Sequence, residues 1–103
     1  ERVVRNGKHV EVWMTAARSH FNPERVEVRN GDHVMWHIMN IERAVDVVHG
    51  FSIPGYNINL SLEPGETATV EFTADRPGVY TYYCSEFCSA LHLEMMGFFL
   101  VKP

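Results

Sequence analysis

Alternation of apolar and polar residues recurs along the whole chain, interrupted every eight to twelve residues or so by Pro, Gly, Asn and Asp. The stretch HVEVWMT alternates. RVEV follows Asn22-Pro23, and HVMWHIMN follows Asn30-Gly31-Asp32 with Val34, Trp36 and Ile38 on one face. VDVVHGFSI then leads into Pro54-Gly55, TATVEFTA lies between Pro64-Gly65 and Asp75-Arg76-Pro77-Gly78, VYTYYC follows, and MGFFLV closes the chain. This spacing predicts about seven short strands and no major helix. The expected fold is all-β: a Greek-key β-sandwich with antiparallel pairing. SALHLEMM has room for a helical turn only.

At 103 residues the chain has the size of one domain, residues 1–103, whose apolar content can close a core without disulfides. The 9 Lys and Arg against 13 Asp and Glu give no electrostatic reason to bind nucleic acid or an anionic membrane. No apolar run reaches membrane-spanning length, and the polar start ERVVRNGKHVEV lacks the features of a secretory signal. Such a chain fits a mature protein or a domain excised from a larger one.

Both cysteines fall in CSEFCSALHLEM, residues 84–95. Cys84, Cys88, His92 and Met95 are separated by three, three and two residues. Thiolate and thioether are soft donors and imidazole is intermediate, so the set suits copper better than magnesium, calcium or manganese. Cys88, His92 and Met95 alone have the form of a blue-copper loop that needs one further histidine. His49, in VVHGF, is the candidate, expected to end an apolar strand and face the loop.

Cys84 is surplus to a single copper. Two coppers bridged by both sulfurs would use every donor, with one histidine terminating each metal, Met95 axial to one and the carbonyl of Glu86 axial to the other. An electron shared over two metals changes each bond less. Zinc held by Cys84, Cys88, His49 and His92 is the competing reading, as is a local disulfide. Zinc knuckles more often add a paired histidine, which is absent here.

Other residues carry weaker signals. His33 and His37 on one strand face would lie roughly 13 Å apart, too far to share an ion, and are expected as surface or partly buried side chains. HVMWH lacks the glutamate of a zinc-protease motif. His9 and His20 sit in polar stretches and carry no signal. Ser85, Ser89 and His92 make no hydrolase triad without a nucleophile elbow. Glu42 and Asp46 are either acceptors for the second ring nitrogen of His49 or plain solvated acids, and Glu94 is similarly placed beside His92. Trp13, Trp36, Tyr80, Tyr82, Tyr83, Phe87, Phe98 and Phe99 are expected in the core.

FNPERVEVRNGDHV and LEPGETATVEFTADRPGVYTYYC resemble the cupredoxin pattern, and CSEFCSALHLEM resembles the binuclear CuA loop of cytochrome c oxidase subunit II and of the C-terminal domain of nitrous-oxide reductase. The resemblance implies that Cys84 and Cys88 bridge two coppers, that His49 and His92 terminate them, and that Met95 and the Glu86 carbonyl are axial. HGF and ALHLEMMGFFLVKP look more like the reductase than the oxidase, whose subunits usually read Asn-His-Ser-x-Met-Pro around that histidine. The resemblance further implies a periplasmic electron carrier of denitrification without turnover of its own. Its donor would be a c-type cytochrome or a cupredoxin, and its acceptor the catalytic copper domain of a homodimeric parent enzyme. An oxidase subunit, a mononuclear blue-copper carrier, and a copper-delivery or zinc-binding module are the alternatives.

Overall fold

A computed structural model describes residues 2–17, 20–43, 48–84 and 95–103. Ten strands are present among them: β1 (Arg2–Asn6), β2 (His9–Ala17), β3 (His20–Asn22), β4 (Arg25–Arg29), β5 (Asp32–Asn40), β6 (His49–Ile53), β7 (Ile58–Leu62), β8 (Thr67–Ala74), β9 (Gly78–Tyr83) and β10 (Met96–Lys102). One sheet has the order β1-β2-β5-β8, with β3 also paired to β2, and the other runs β4-β10-β9-β6-β7.

All seven expected strand regions contain a strand. β1, β3 and β7 were not expected, for different reasons. Every residue of β1 is exposed, so its sequence has no buried face to report, and β3 spans three residues. β7 does alternate, burying Ile58 and Leu62, but it follows a short 3₁₀ turn at Pro54–Tyr56 that obscures its start.

The antiparallel expectation needs correction. β2 pairs with β5 in parallel, and β10 with β4. Periodicity reports which side of a strand is buried, not the direction of its neighbour, and in both cases the chain crosses to the other sheet before the two partners meet.

Strand alternation builds the core. On β5 the side chains of Val34, Trp36 and Ile38 are buried while His33, Met35, His37 and Met39 face outward. Trp36 reaches across from the first sheet into rings of the second, with centroids 5.3 Å from Phe51 and 5.4 Å from both Tyr82 and Phe99. Removing such a side chain costs about 3–5 kcal/mol. The Tyr82 hydroxyl donates to the Pro23 carbonyl at 2.8 Å, tying β9 to the turn before β4. Burial pushes that phenol's pKa upward, so it stays a donor. Gly97 makes this packing possible: a Cβ there would lie 2.5 Å from the Glu24 carbonyl and run into the Tyr82 ring.

Three of the aromatic residues expected in the core lie at the surface instead: Trp13, Tyr83 and Phe98. Each sits at an outward position of its strand, and alternation outweighs the preference of a single residue type. Phe87 lies outside the described residues.

At one end of β5, Asp32 is buried and fully engaged. Arg5 donates to its two carboxylate oxygens at 3.0 and 2.6 Å, and the Arg29 backbone N–H donates at 2.7 Å. Arg5 lies on β1, so this contact fastens the exposed edge strand to the domain. At the other end of β5, Asn40 is also buried. Its amide donates to the Leu62 carbonyl at 2.9 Å and its side-chain oxygen accepts from the Glu42 N–H at 3.0 Å. The candidate site begins there.

Candidate metal centre

Three of the six expected ligand positions are described, and they lie at adjoining strand ends of the second sheet. Cys84 directly follows β9 and Met95 directly precedes β10, and the Cys84 N–H donates to the Met95 carbonyl at 3.0 Å. This continues the β9–β10 ladder by one step beyond the Met96–Tyr83 pair. His49 is the first residue of β6, which neighbours β9, so it begins the strand rather than ending it as expected. All three side chains are buried. Glu86, Cys88 and His92 lie outside the described residues, as do Asp46 and Glu94.

The imidazole of His49 is held from one side. Its Nε2 is 2.9 Å from Oε2 of Glu42, and a carboxylate there assigns the proton to Nε2. Nδ1 is therefore the acceptor nitrogen. It is buried and has no hydrogen-bond partner among the described residues. A buried polar atom in that condition costs about 1–3 kcal/mol, a cost that a bound metal removes.

Cys84 bears on the same ring. Burial pushes the His49 pKa down, while first Cys84 and then Glu42 push it up and prevail. The sulfur thus lies close enough to the ring to act on its charge. The Gly50 N–H points to Sγ of Cys84 at 3.4 Å, a contact that favours the thiolate and tunes a metal–sulfur bond.

A buried imidazole, a buried thiol and a buried thioether make a donor set that fits copper. Glu42 supplies the outer contact that fixes the histidine, and Asn40 holds Glu42 in place through its backbone. Of the two acids considered, Glu42 is hydrogen-bonded to His49, and Asp46 lies outside the described residues. Asn40 escaped the sequence reading; the signal was a polar residue at an inward position of an apolar strand.

His33 and His37 lie on the outer face of the first sheet, partly buried as expected, and each meets a carboxylate: Glu71 and Glu11 respectively, both at 2.6 Å. His20 is exposed at the start of β3. His9 was expected to carry no signal, yet its ring packs against that of His33.

The family model of the cytochrome c oxidase subunit II periplasmic domain matches residues 11–100. Nitrous-oxide reductase of Stutzerimonas stutzeri is 40% identical over 102 residues, which cover 99% of this chain and 16% of the reductase. Cytochrome c oxidase subunit 2 of Thermus thermophilus is 35% identical over 103 residues, covering 99% of this chain and 73% of that subunit. A solved heme-copper terminal oxidase dimer superposes with a TM-score of 0.80 at 28% identity, over 91% of this chain and 64% of the other. The chain therefore spans a small fraction of the reductases it matches. The expected cupredoxin-like sandwich is the fold observed.

Proposed function

The chain belongs to the family of the cytochrome c oxidase subunit II periplasmic domain, and on that premise we propose that it is an electron-transfer domain holding a dinuclear CuA centre. Cys84, Cys88, His49, His92 and Met95, with the carbonyl of Glu86, would hold the two coppers. When bound, the metal pair takes up and releases one electron with the unpaired spin shared by both ions. The observation that carries this reading is the buried imidazole of His49, held at Nε2 by Glu42 and acted on by Cys84.

The protein's own residues position the donors and keep the site dry. Glu42 holds the proton on Nε2 and so keeps the Nδ1 lone pair directed inward. The Cys84–Met95 backbone bond sets the two ends of the ligand loop side by side. Strand ends anchored in a sandwich shift little, which suits a centre that must change charge with small movement.

Residues adjoining the site are apolar and exposed: Ile41 next to Glu42's loop, Tyr83 beside Cys84, and Met96 beside Met95. Such a rim supports docking of a c-type cytochrome or cupredoxin donor through a small, short-lived interface. The acceptor is the catalytic copper domain of a periplasmic, homodimeric parent of nitrous-oxide reductase type. An oxidase subunit is the second reading, favoured by the family match. The coding sequence flanking this segment separates the two.

Copper stoichiometry with an electron paramagnetic resonance spectrum tests the centre itself. Two coppers per chain with a spin spread over both nuclei are expected. One copper with a four-line pattern would indicate a mononuclear blue-copper site, and colourless protein holding zinc a binding module. Ready surrender of copper to an acceptor during redox cycling would indicate a delivery protein.

A further inference from the structure

A second group of soft donors lies on the outer face of the first sheet. The outward residues of β5 are His33, Met35, His37 and Met39, imidazole and thioether in alternation. On the parallel neighbour β2, His9 stands beside His33 and Glu11 beside Met35. The rings of His9 and His33 meet edge to face with centroids 5.7 Å apart. Both histidines and Met35 line one cleft of about 560 Å³.

The hydrogen bonds single out which donors are available. His37 has both ring nitrogens engaged, Nδ1 with Thr69 at 2.7 Å and Nε2 with Glu11 at 2.6 Å, and Trp13 stacks on its face at 4.0 Å. His33 differs: Glu71 takes its Nε2 at 2.6 Å, which places the proton there and turns Nδ1 into the lone-pair nitrogen. This is the arrangement a carboxylate gives to a metal-binding histidine, and Glu42 imposes the same one on His49.

Donor chemistry then selects the ion. No three His, Cys, Asp or Glu side chains among the described residues converge on a point that could hold a metal, so the cleft does not meet the needs of zinc. The third donor is the thioether of Met35, a poor ligand for zinc or magnesium and a good one for monovalent copper. Its three rotatable bonds let it swing toward the two imidazoles. Glu11 and Glu71, cross-strand neighbours of Met35 on either side, add negative charge that attracts a cation.

We propose that His9, His33 and Met35 form a surface site for one Cu(I) ion, distinct from the buried centre. The two lie well apart, since Met35 is five residues, about 17 Å of strand, from the Asn40 end of β5.

Nuclear magnetic resonance on the 103-residue chain, with methionine methyl groups labelled, tests this with Ag(I) as a redox-silent stand-in. The Met35 methyl and the His9 and His33 ring signals should shift together and saturate together. Met35→Leu and His9→Ala should each abolish the coupled shift. Glu71→Gln should weaken binding about 10- to 100-fold, and His37→Ala should leave it unchanged. These side chains are all partly or fully exposed, so folding survives their replacement, and an unaltered amide spectrum verifies it. Signals that stay still under Ag(I), a shift that persists in Met35→Leu, or equal loss in His37→Ala would overturn the proposal. So would Zn(II) binding there as tightly as Cu(I) in an anaerobic chelator competition.

Discussion

The two ends of β5 each lead to a buried titratable group, and the two groups are treated in opposite ways. Asp32 has its carboxylate oxygens filled by Arg5 and by the Arg29 N–H. His49, reached at the other end through Asn40 and Glu42, is held at Nε2 and left open at Nδ1. A buried polar group with every bond made stabilises the fold around it, whereas an imidazole fixed on one nitrogen beside a thiol has the chemistry of a metal ligand. The difference separates the part of the molecule that fixes the edge strand from the part that carries the candidate metal donors.

The comparison breaks most completely at Cys84. Cys84→Ser should eliminate the shared-spin signal while leaving the Asp32 end intact, so a circular dichroism spectrum should remain that of a β-sandwich. Survival of the original spin spectrum would refute the bridging role. Arg5→Met tests the opposite end. It leaves Asp32 buried with the Arg29 N–H alone among these partners, and should lower unfolding free energy by about 1–3 kcal/mol, measured by urea denaturation of the copper-free chain, with metal binding unaffected.

Glu42→Gln is subtler, because the amide keeps the shape but loses the charge. Copper affinity should fall about 10- to 100-fold, as for other outer contacts of a metal-bound histidine, read by competition with a chelator. If affinity holds, Glu42 does not position His49. The smallest effect is expected at the exposed pair His33–Glu71, whose side chains are 39% and 53% accessible: Glu71→Gln should change unfolding free energy by less than about 1 kcal/mol.

Acid sharpens the contrast. Hydrogen bonds from Arg5 hold the Asp32 pKa below its ordinary value, against burial, which acts upward. Its contribution is therefore complete above the unfolded value of about 3.9 and is lost as pH falls through the lower, folded value. The stability gap between the wild-type chain and Arg5→Met should accordingly be flat from neutral pH to about pH 5 and close toward pH 2. A gap that stays open in strong acid would mean that Arg5 acts through packing alone.

Much of this was legible in one dimension. Val34, Trp36 and Ile38 announced an inward face because strand geometry has a period of two, and the donor types in residues 84–95 pointed to copper because ligand softness belongs to the side chains themselves. The surface positions of Trp13, Tyr83 and Phe98 were also inferable from alternation, had it been weighed above residue type. β1 left no such trace, since a strand with no buried side chain has nothing to alternate.

What a linear chain determines by itself is local: which face of each strand is apolar, where turns interrupt, and which donors lie near one another in sequence. Partners distant in sequence are decided by topology. Arg5 meets Asp32, His9 meets His33, and β2 runs parallel to β5, because the sheet order brings together segments far apart in the chain, and no periodicity within a single strand encodes that.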